Sequence, residues 1–353
     1  MKSLLTLLSL FLMFAPLWSQ SGEWRFAVSG DARNCGDVVM PAIAKGVTAD
    51  GARFYWHLGD FRALAEFDED MVGRAGGGKL TVRSYLNTAW DDFIENQLKP
   101  FGNLPIFLAI GNHELESARN RGDYVTQFGD WLVTPLLEKQ RLADDPRDHK
   151  VKPYYHWIEG LIDFITLDNA SHDQFSSAQI GWFEGILKHA ASNTEIKTIV
   201  VGMHAALPDS ISGGHSMNEW AEGIESGRRV YQDLLAFRNN THKNVYILAS
   251  HSHFLMENIF NTDYILAHGG ILPGWIVGTA GAVRYRLPRE SGRAKIAKTD
   301  VYGYLLGSVH ADGTIDFSFR EVTQRDVPQP ALQRFQASTV EQCFTGNKSD
   351  FQP

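Results

Sequence analysis

Cysteine is almost absent from this sequence: Cys35 and Cys343 are its only two. With no clustered thiolates, a structural zinc site or an iron–sulfur cluster has nothing to hold it. In an oxidising compartment two isolated cysteines pair by default, which would tie the tail of the chain to its first loop. Basic charge is also in short supply, 33 Lys and Arg against 41 Asp and Glu for a net charge of -8. A long nucleic acid is therefore not an expected partner. Long apolar runs are confined to the amino terminus, where Lys2 precedes an apolar stretch from Leu4 to Phe14 and small residues at Ser19 and Ser21. That is the pattern of a secretory signal peptide over residues 1–20. The stretch is shorter than the roughly 20 residues a bilayer requires, and no comparable run follows. The expectation is a secreted or periplasmic protein without a membrane span.

What remains is enough for one large domain or two ordinary ones, without repeats or low-complexity tracts. Five apolar runs of strand length end abruptly: "WRFAVSGD" at 24–31, "RFYWHLGD" at 53–60, "PIFLAIGNH" at 105–113, "KTIVVGMH" at 197–204 and "NVYILASHSH" at 244–253. Helical patterns lie between them. One opens at Ser176 and Gln179 with Ile180, Phe183 and Leu187 on one face, and another opens similarly at Ser216 and Glu219. This alternation predicts a largely parallel α/β sheet with its functional residues beyond the carboxyl ends of the strands. Segments 64–88 and 138–153 read as polar surface loops, and Ala311, Asp312 and Gly313 read as the turn of a hairpin. From residue 326 to 353 a Gln- and Pro-rich tail is expected to drape over the surface.

At the ends of the strands stand Asp31, Asp60, Asn112 with His113, His204, and His251 with His253, three of the groups being preceded by Gly30, Gly59 and Gly111. Each is a metal ligand or proton carrier by type. A parallel sheet would gather them on one rim. Imidazoles mixed with carboxylates and an amide oxygen suit Zn, Fe or Mn. Two such ions about 3.5–4 Å apart would activate a shared water for in-line displacement at phosphorus.

These motifs, "GD" at 30–31, "GD" at 59–60, "GNHE" at 111–114, "GMH" at 202–204 and "HSH" at 251–253, with "FITLDN" at 164–169 and "GTAGA" at 278–282 in support, resemble those of the calcineurin-like metallophosphoesterase superfamily. The resemblance implies an α/β fold of two packed mixed β-sheets flanked by helices, a four-layer αββα sandwich, over residues 23–325. It also implies two divalent or mixed-valence metal ions (Fe, Zn or Mn). Asp60 would bridge them, with Asp31 and His253 on the first and Asn112, His204 and His251 on the second. His113 would contact the phosphate or protonate the leaving group, and a metal-bridging hydroxide would be the nucleophile. The implied activity is hydrolysis of a small-molecule phosphomonoester or phosphodiester. The alternative is a non-catalytic phospho-ligand-binding protein on the same fold.

The chain departs from the family at Arg33, where many members carry a histidine that ligates the first metal. Arginine cannot ligate. The tyrosine that purple acid phosphatases place three positions after the bridging Asp is Ala63 here. Either the Arg33 guanidinium grips the substrate phosphate and assists catalysis, or it pairs with a nearby carboxylate. In both cases a fixed cation should weaken occupancy of the first site. His215, on a Gly-rich loop, is a further candidate for substrate binding. Arg62 raises the same question as Arg33 with less force and reads first as a solvated loop charge, His57 reads as a satisfied core residue or a support for the ligands, and Trp275 and Tyr285 read first as packing residues, with the lining of a substrate pocket as the alternative.

Overall fold

The computed structural model describes residues 23–64, 67–74, 80–212 and 214–353; the segment read as a signal peptide lies outside them. The five apolar runs become strands β1 (Trp24–Ser29), β2 (Ala52–His57), β3 (Ile106–Leu108), β6 (Thr198–Gly202) and β7 (Asn244–Ala249). They fall into two sheets. The first has the order β12-β11-β1-β2-β3, with β11 (Tyr302–Val309) and β12 (Ile315–Val322) forming the expected hairpin; the second has the order β10-β8-β9-β7-β6-β5-β4. Its remaining members are β4 (Tyr155–Glu159), β5 (Ile162–Thr166), β8 (Leu255–Glu257), β9 (Gly274–Val277) and β10 (Ile296–Lys298). Strands β1, β2 and β3 run parallel, as do β5, β6, β7 and β9. Antiparallel strands close one edge of the first sheet and both edges of the second.

The sheets meet through aromatic side chains, Phe26, Phe54, Trp56, Phe107, Trp157, Phe164 and Trp275 among them. Burying a ring of this kind is worth about 2–3 kcal/mol over leaving it exposed. A strand with apolar side chains on both faces needs a second cover, and helices supply it. Gly36–Ala49 packs on the first sheet, Ser177–Ser192 and Ala221–Thr241 on the second. The result is a four-layer α/β sandwich, not the single open sheet that periodicity predicts.

Several local expectations change. Segment 64–88 contains a short helix, Glu69–Val72, and the start of Val82–Phe93, capped reciprocally by Thr81 and Ser84; segment 138–153 begins inside the helix Pro135–Asp144. Ser176 does cap its helix, accepting from Gln179 N, but the Gln179 amide turns to the Asp168 backbone instead of completing a box. Ser216 opens only a single turn, Met217–Glu219, and the long helix starts at Ala221. The tail does not merely drape: the helix Ala337–Thr345 buries Val340 and Cys343. Cys343 is bonded to Cys35 with a Cα–Cα distance of 5.6 Å. Among the described residues no helix is long and apolar enough to cross a membrane.

Candidate metal centre

The carboxyl ends of β1, β2, β3, β6 and β7 converge, and the turns leaving them are forced. Asp31, Asp60 and His251 all have left-handed backbone, at φ of 61°, 60° and 65°. Such conformations are disfavoured for non-glycine residues and persist where the surroundings over-determine them. Gly59 makes room for the crossing of the β2 and β3 turns: at φ 93° a Cβ there would lie 2.6 Å from the Gly111 nitrogen. Gly278 does the same for Asp31, since its Cβ would come within 2.7 Å of Oδ2.

The histidine tautomers decide what the centre can hold. His204 Nδ1 donates to the Leu58 carbonyl at 2.9 Å, and His253 Nδ1 donates to the Val283 carbonyl at 2.7 Å. A carbonyl can only accept, so in the neutral rings both Nε2 atoms carry lone pairs. The lone pair of His204 faces Asn112 Oδ1 at 2.9 Å, His251 Nδ1 at 3.0 Å and Asp60 Oδ1 at 3.3 Å. That of His253 faces Asp31 Oδ1 at 3.3 Å. Acceptors aimed at acceptors in a buried site call for a cation between them. Asp31 Oδ1, Asp60 Oδ2 and His253 Nε2 are moreover buried without a hydrogen-bond partner. Without a metal the relief is a proton, either on His204 Nε2 or on His251 Nδ1 facing it. Although burial works against the charged ring, Asp60 and Asp31 outweigh it and hold the His204 imidazolium up to about 10.

Asp60, His204 and His251 are close enough to hold one ion, with Asn112 beside His204, and Asp31 and His253 face each other as a second group. Arg33 lies beside the second group, 8% exposed, with Nε 3.9 Å from Asp60 Oδ2. Its Nη1 donates to His113 Nε2 at 2.6 Å, and its Nη2 to the Tyr285 hydroxyl at 3.4 Å. Burial and the neighbouring guanidinium push His113 down to about 4 despite Asp60. His215 stacks flat on His251, ring centroids 3.9 Å apart, with Nδ1 3.3 Å from Glu219. All the residues named from the sequence as site residues thus come together. His57 is fully buried at the edge of this cluster, its Nδ1 accepting from Gly59 N, and burial keeps it neutral down to about 3.

The supporting residues were less visible. Glu114 accepts from the backbone nitrogens of Asp60, Phe61 and Gly111 at 2.8–2.9 Å, clamping the β2 and β3 turns together, and burial next to Asp60 pushes its carboxyl up to about 8. Asn169 makes a two-bond bracket with Ala205, fixing the chain beside His204. Asp68 takes the Asn34 nitrogen at 2.5 Å and the Ala63 nitrogen at 3.2 Å, so one carboxylate pins the turns after Asp31 and Asp60. Arg62 is not a solvated loop charge. It is fully buried and paired with Asp37, Asp70 and Asp92, within 3.7 Å of Asp68. Trp275 packs against Phe317 in the core as expected, whereas Tyr285 stacks on His253 at 4.0 Å and belongs to the site. "GNHE" contains Glu114, but nothing local in the sequence announces Asp68 or the buried pairing of Arg62.

No protein-family model and no curated protein matches the chain. Solved structures do. A purple acid phosphatase from yellow lupin (Lupinus luteus) seeds superposes with a TM-score of 0.52 at 15% identity, over 86% of this chain and 52% of that one. The structure of PhoD superposes with a TM-score of 0.53 at 14% identity, over 85% of this chain and 72% of that one. The chain thus spans about half the length of the lupin phosphatase it matches. Identities this low speak to architecture only, and the architecture agrees with the sequence motifs: the chain has the calcineurin-like metallophosphoesterase fold.

Proposed function

We propose that this protein is a secreted or periplasmic metal-dependent phosphoesterase that hydrolyses a small-molecule phosphomonoester or phosphodiester. The observation that carries the reading is the pair of histidines whose Nδ1 atoms are locked by backbone carbonyls so that both Nε2 lone pairs aim at carboxylate oxygens. Asp60, Asn112, His204 and His251 would hold one ion, and Asp31, Asp60 and His253 the other. Bound there, Zn, Fe or Mn supplies Lewis acidity that lowers the pKa of water and neutralises phosphate charge.

The chain's own residues orient the ester. Arg33 offers a permanent cation for a non-bridging phosphate oxygen, and its rigid fork suits bidentate contact. Its place near Asp60 also lowers the affinity of the first position for metal, so that ion is the weaker held. His113 lies within reach of the same oxygens. An arriving phosphate competes for the Arg33 Nη1 donor, and this frees His113 Nε2 to take up a proton and pass it to the leaving group. The acidic chain disfavours long nucleic acid as substrate.

One observation favours the rival reading, a binding protein without turnover. The Arg33–His113 hydrogen bond puts the imidazole proton on Nδ1, away from the leaving group. The test is metal content per chain after purification without chelators, with turnover of an aryl phosphomonoester and a diester recorded across Mn, Zn, Fe and Mg. Turnover that needs metal and is lost with the second-position ion in Asp60→Asn supports the esterase. Tight phosphate binding with no turnover under any metal establishes the binder.

A further inference from the structure

The tail reaches the metal centre. Residues 347–351 run beside 284–286, with Arg284 N donating to Asn347 O at 3.1 Å, Ser349 N to Arg284 O at 2.9 Å and Arg286 N to Phe351 O at 2.9 Å. Asn347 also donates to the Tyr302 hydroxyl at 2.7 Å and the Gly281 carbonyl at 3.1 Å. The segment is therefore fixed to the same stretch of chain that carries Tyr285, with the Cys35–Cys343 bond anchoring the preceding helix. What this pairing presents is the ring of Phe351.

Three rings meet there. Phe351 lies 4.8 Å from Tyr285 and 5.4 Å from His215, both at steep angles, and Tyr285 and His215 are 5.4 Å apart. Their inner sides rest on ligand residues, Tyr285 on His253 and His215 on His251, while Tyr285 also accepts from Arg33. Tyr285 is 8% exposed, but Phe351 is 42% exposed. The phenyl ring is held half in water by backbone pairing, at the edge of a charged site and in contact with two further rings.

We propose that Phe351, Tyr285 and His215 form a platform for the leaving group, and that the site selects phosphoesters whose leaving group is a planar aromatic ring or base. This rests on the phosphoesterase reading and extends it to substrate class. With phosphate on Arg33, a leaving group directed toward Tyr285 meets the apolar corner. Water then adds to phosphorus, the phosphorus–oxygen bond to the leaving group breaks, and the aryl or nucleoside hydroxyl departs with a proton. Edge or face contacts with such a ring are worth about a tenfold gain at most per partner.

Two measurements separate this proposal from the reading beneath it. In metal-loaded enzyme, the ratio of kcat/KM for naphthyl phosphate to that for glycerol phosphate should fall about tenfold in Phe351→Ala and be restored in Phe351→Tyr. An unchanged ratio overturns the platform while leaving the phosphoesterase intact. Calorimetry with phenylphosphonate and methylphosphonate reads the platform without turnover. Tighter binding of the phenyl compound, lost in Phe351→Ala, supports it even if no ester is hydrolysed, and equal affinities overturn it.

Discussion

The two sheets contribute to one centre by opposite means. The first sheet carries the candidate oxygen ligands, Asp31, Asp60 and Asn112, on turns braced by buried charge: Arg62 sits among Asp37, Asp68, Asp70 and Asp92, with Arg74 and Arg334 closing the outer side. The second carries the candidate nitrogen ligands, His204, His251 and His253, braced by neutral groups: the Leu58 and Val283 carbonyls, the Ser250 hydroxyl and the Asn169 amide. The difference follows from the ligands. A carboxylate keeps its charge in a buried site only near compensating cations or N–H donors, while a neutral imidazole needs just an acceptor to fix its tautomer.

The largest expected effect tests the charged brace. Arg62→Met leaves its surrounding carboxylates without their central cation, and breaking a buried pair from one side costs roughly 3–5 kcal/mol. Burial and Asp37 already push Asp70 well above the usual carboxylate range. Urea unfolding should show the loss, and metal content should fall because Asp68 no longer pins the turns after Asp31 and Asp60. Full stability with normal metal content would mean that hydrogen bonds alone hold the first half.

This brace also marks what was legible in the sequence. The candidate ligands could be read because such chemistry dictates residue type and the strands dictate spacing, so Asp31, Asp60, Asn112, His204, His251 and His253 stand at abrupt ends of apolar runs. Periodicity recovered the central strands but not their division into two sheets, because a strand buried on both faces reads alike in either; the resemblance to a known family supplied that. Arg62 looked like any loop arginine, since its partners lie 6 to 30 positions away and only the fold brings them together. Phe351 was illegible for the same reason: its role depends on a disulfide across 308 positions and on backbone pairing with residues 284–286.

The next effect is smaller. Cys35 is four positions beyond Asp31, and its bond to Cys343 closes nearly the whole chain into one loop. Replacing both cysteines by serine should cost about 3 kcal/mol, the middle of the usual range for a native disulfide. If the tail is a wall of the site, the same variant should bind phenylphosphonate less tightly while keeping its second-position metal. Loss of both together would show that the bond serves the first half's ligand turns instead.

The smallest effect lies in the second half, where one ionic group breaks the neutral pattern far from the ligands. His156 on β4 donates to Asp163 at 2.8 Å and to Asp144 at 2.6 Å. Burial opposes its charge, but the two carboxylates outweigh burial and hold the ring up to about 9. A pKa raised above the unfolded value of about 6.5 stabilises the fold fully below that pH, and the contribution is lost as pH rises toward 9. Asp144 is partly exposed and screens the pair, so the loss should be about 2 kcal/mol. Thermal unfolding from pH 6 to 9.5 should show a decline that His156→Gln flattens. In the first half Arg62 stays protonated throughout, whereas Glu114, held up to about 8, titrates within the same range, so the difference made by His156→Gln isolates the second half's charge. Local amide exchange whose pH dependence changes in His156→Gln around β4 and β5, but not around the turns after β1 and β2, would separate the two halves by the pH response of their buried charge.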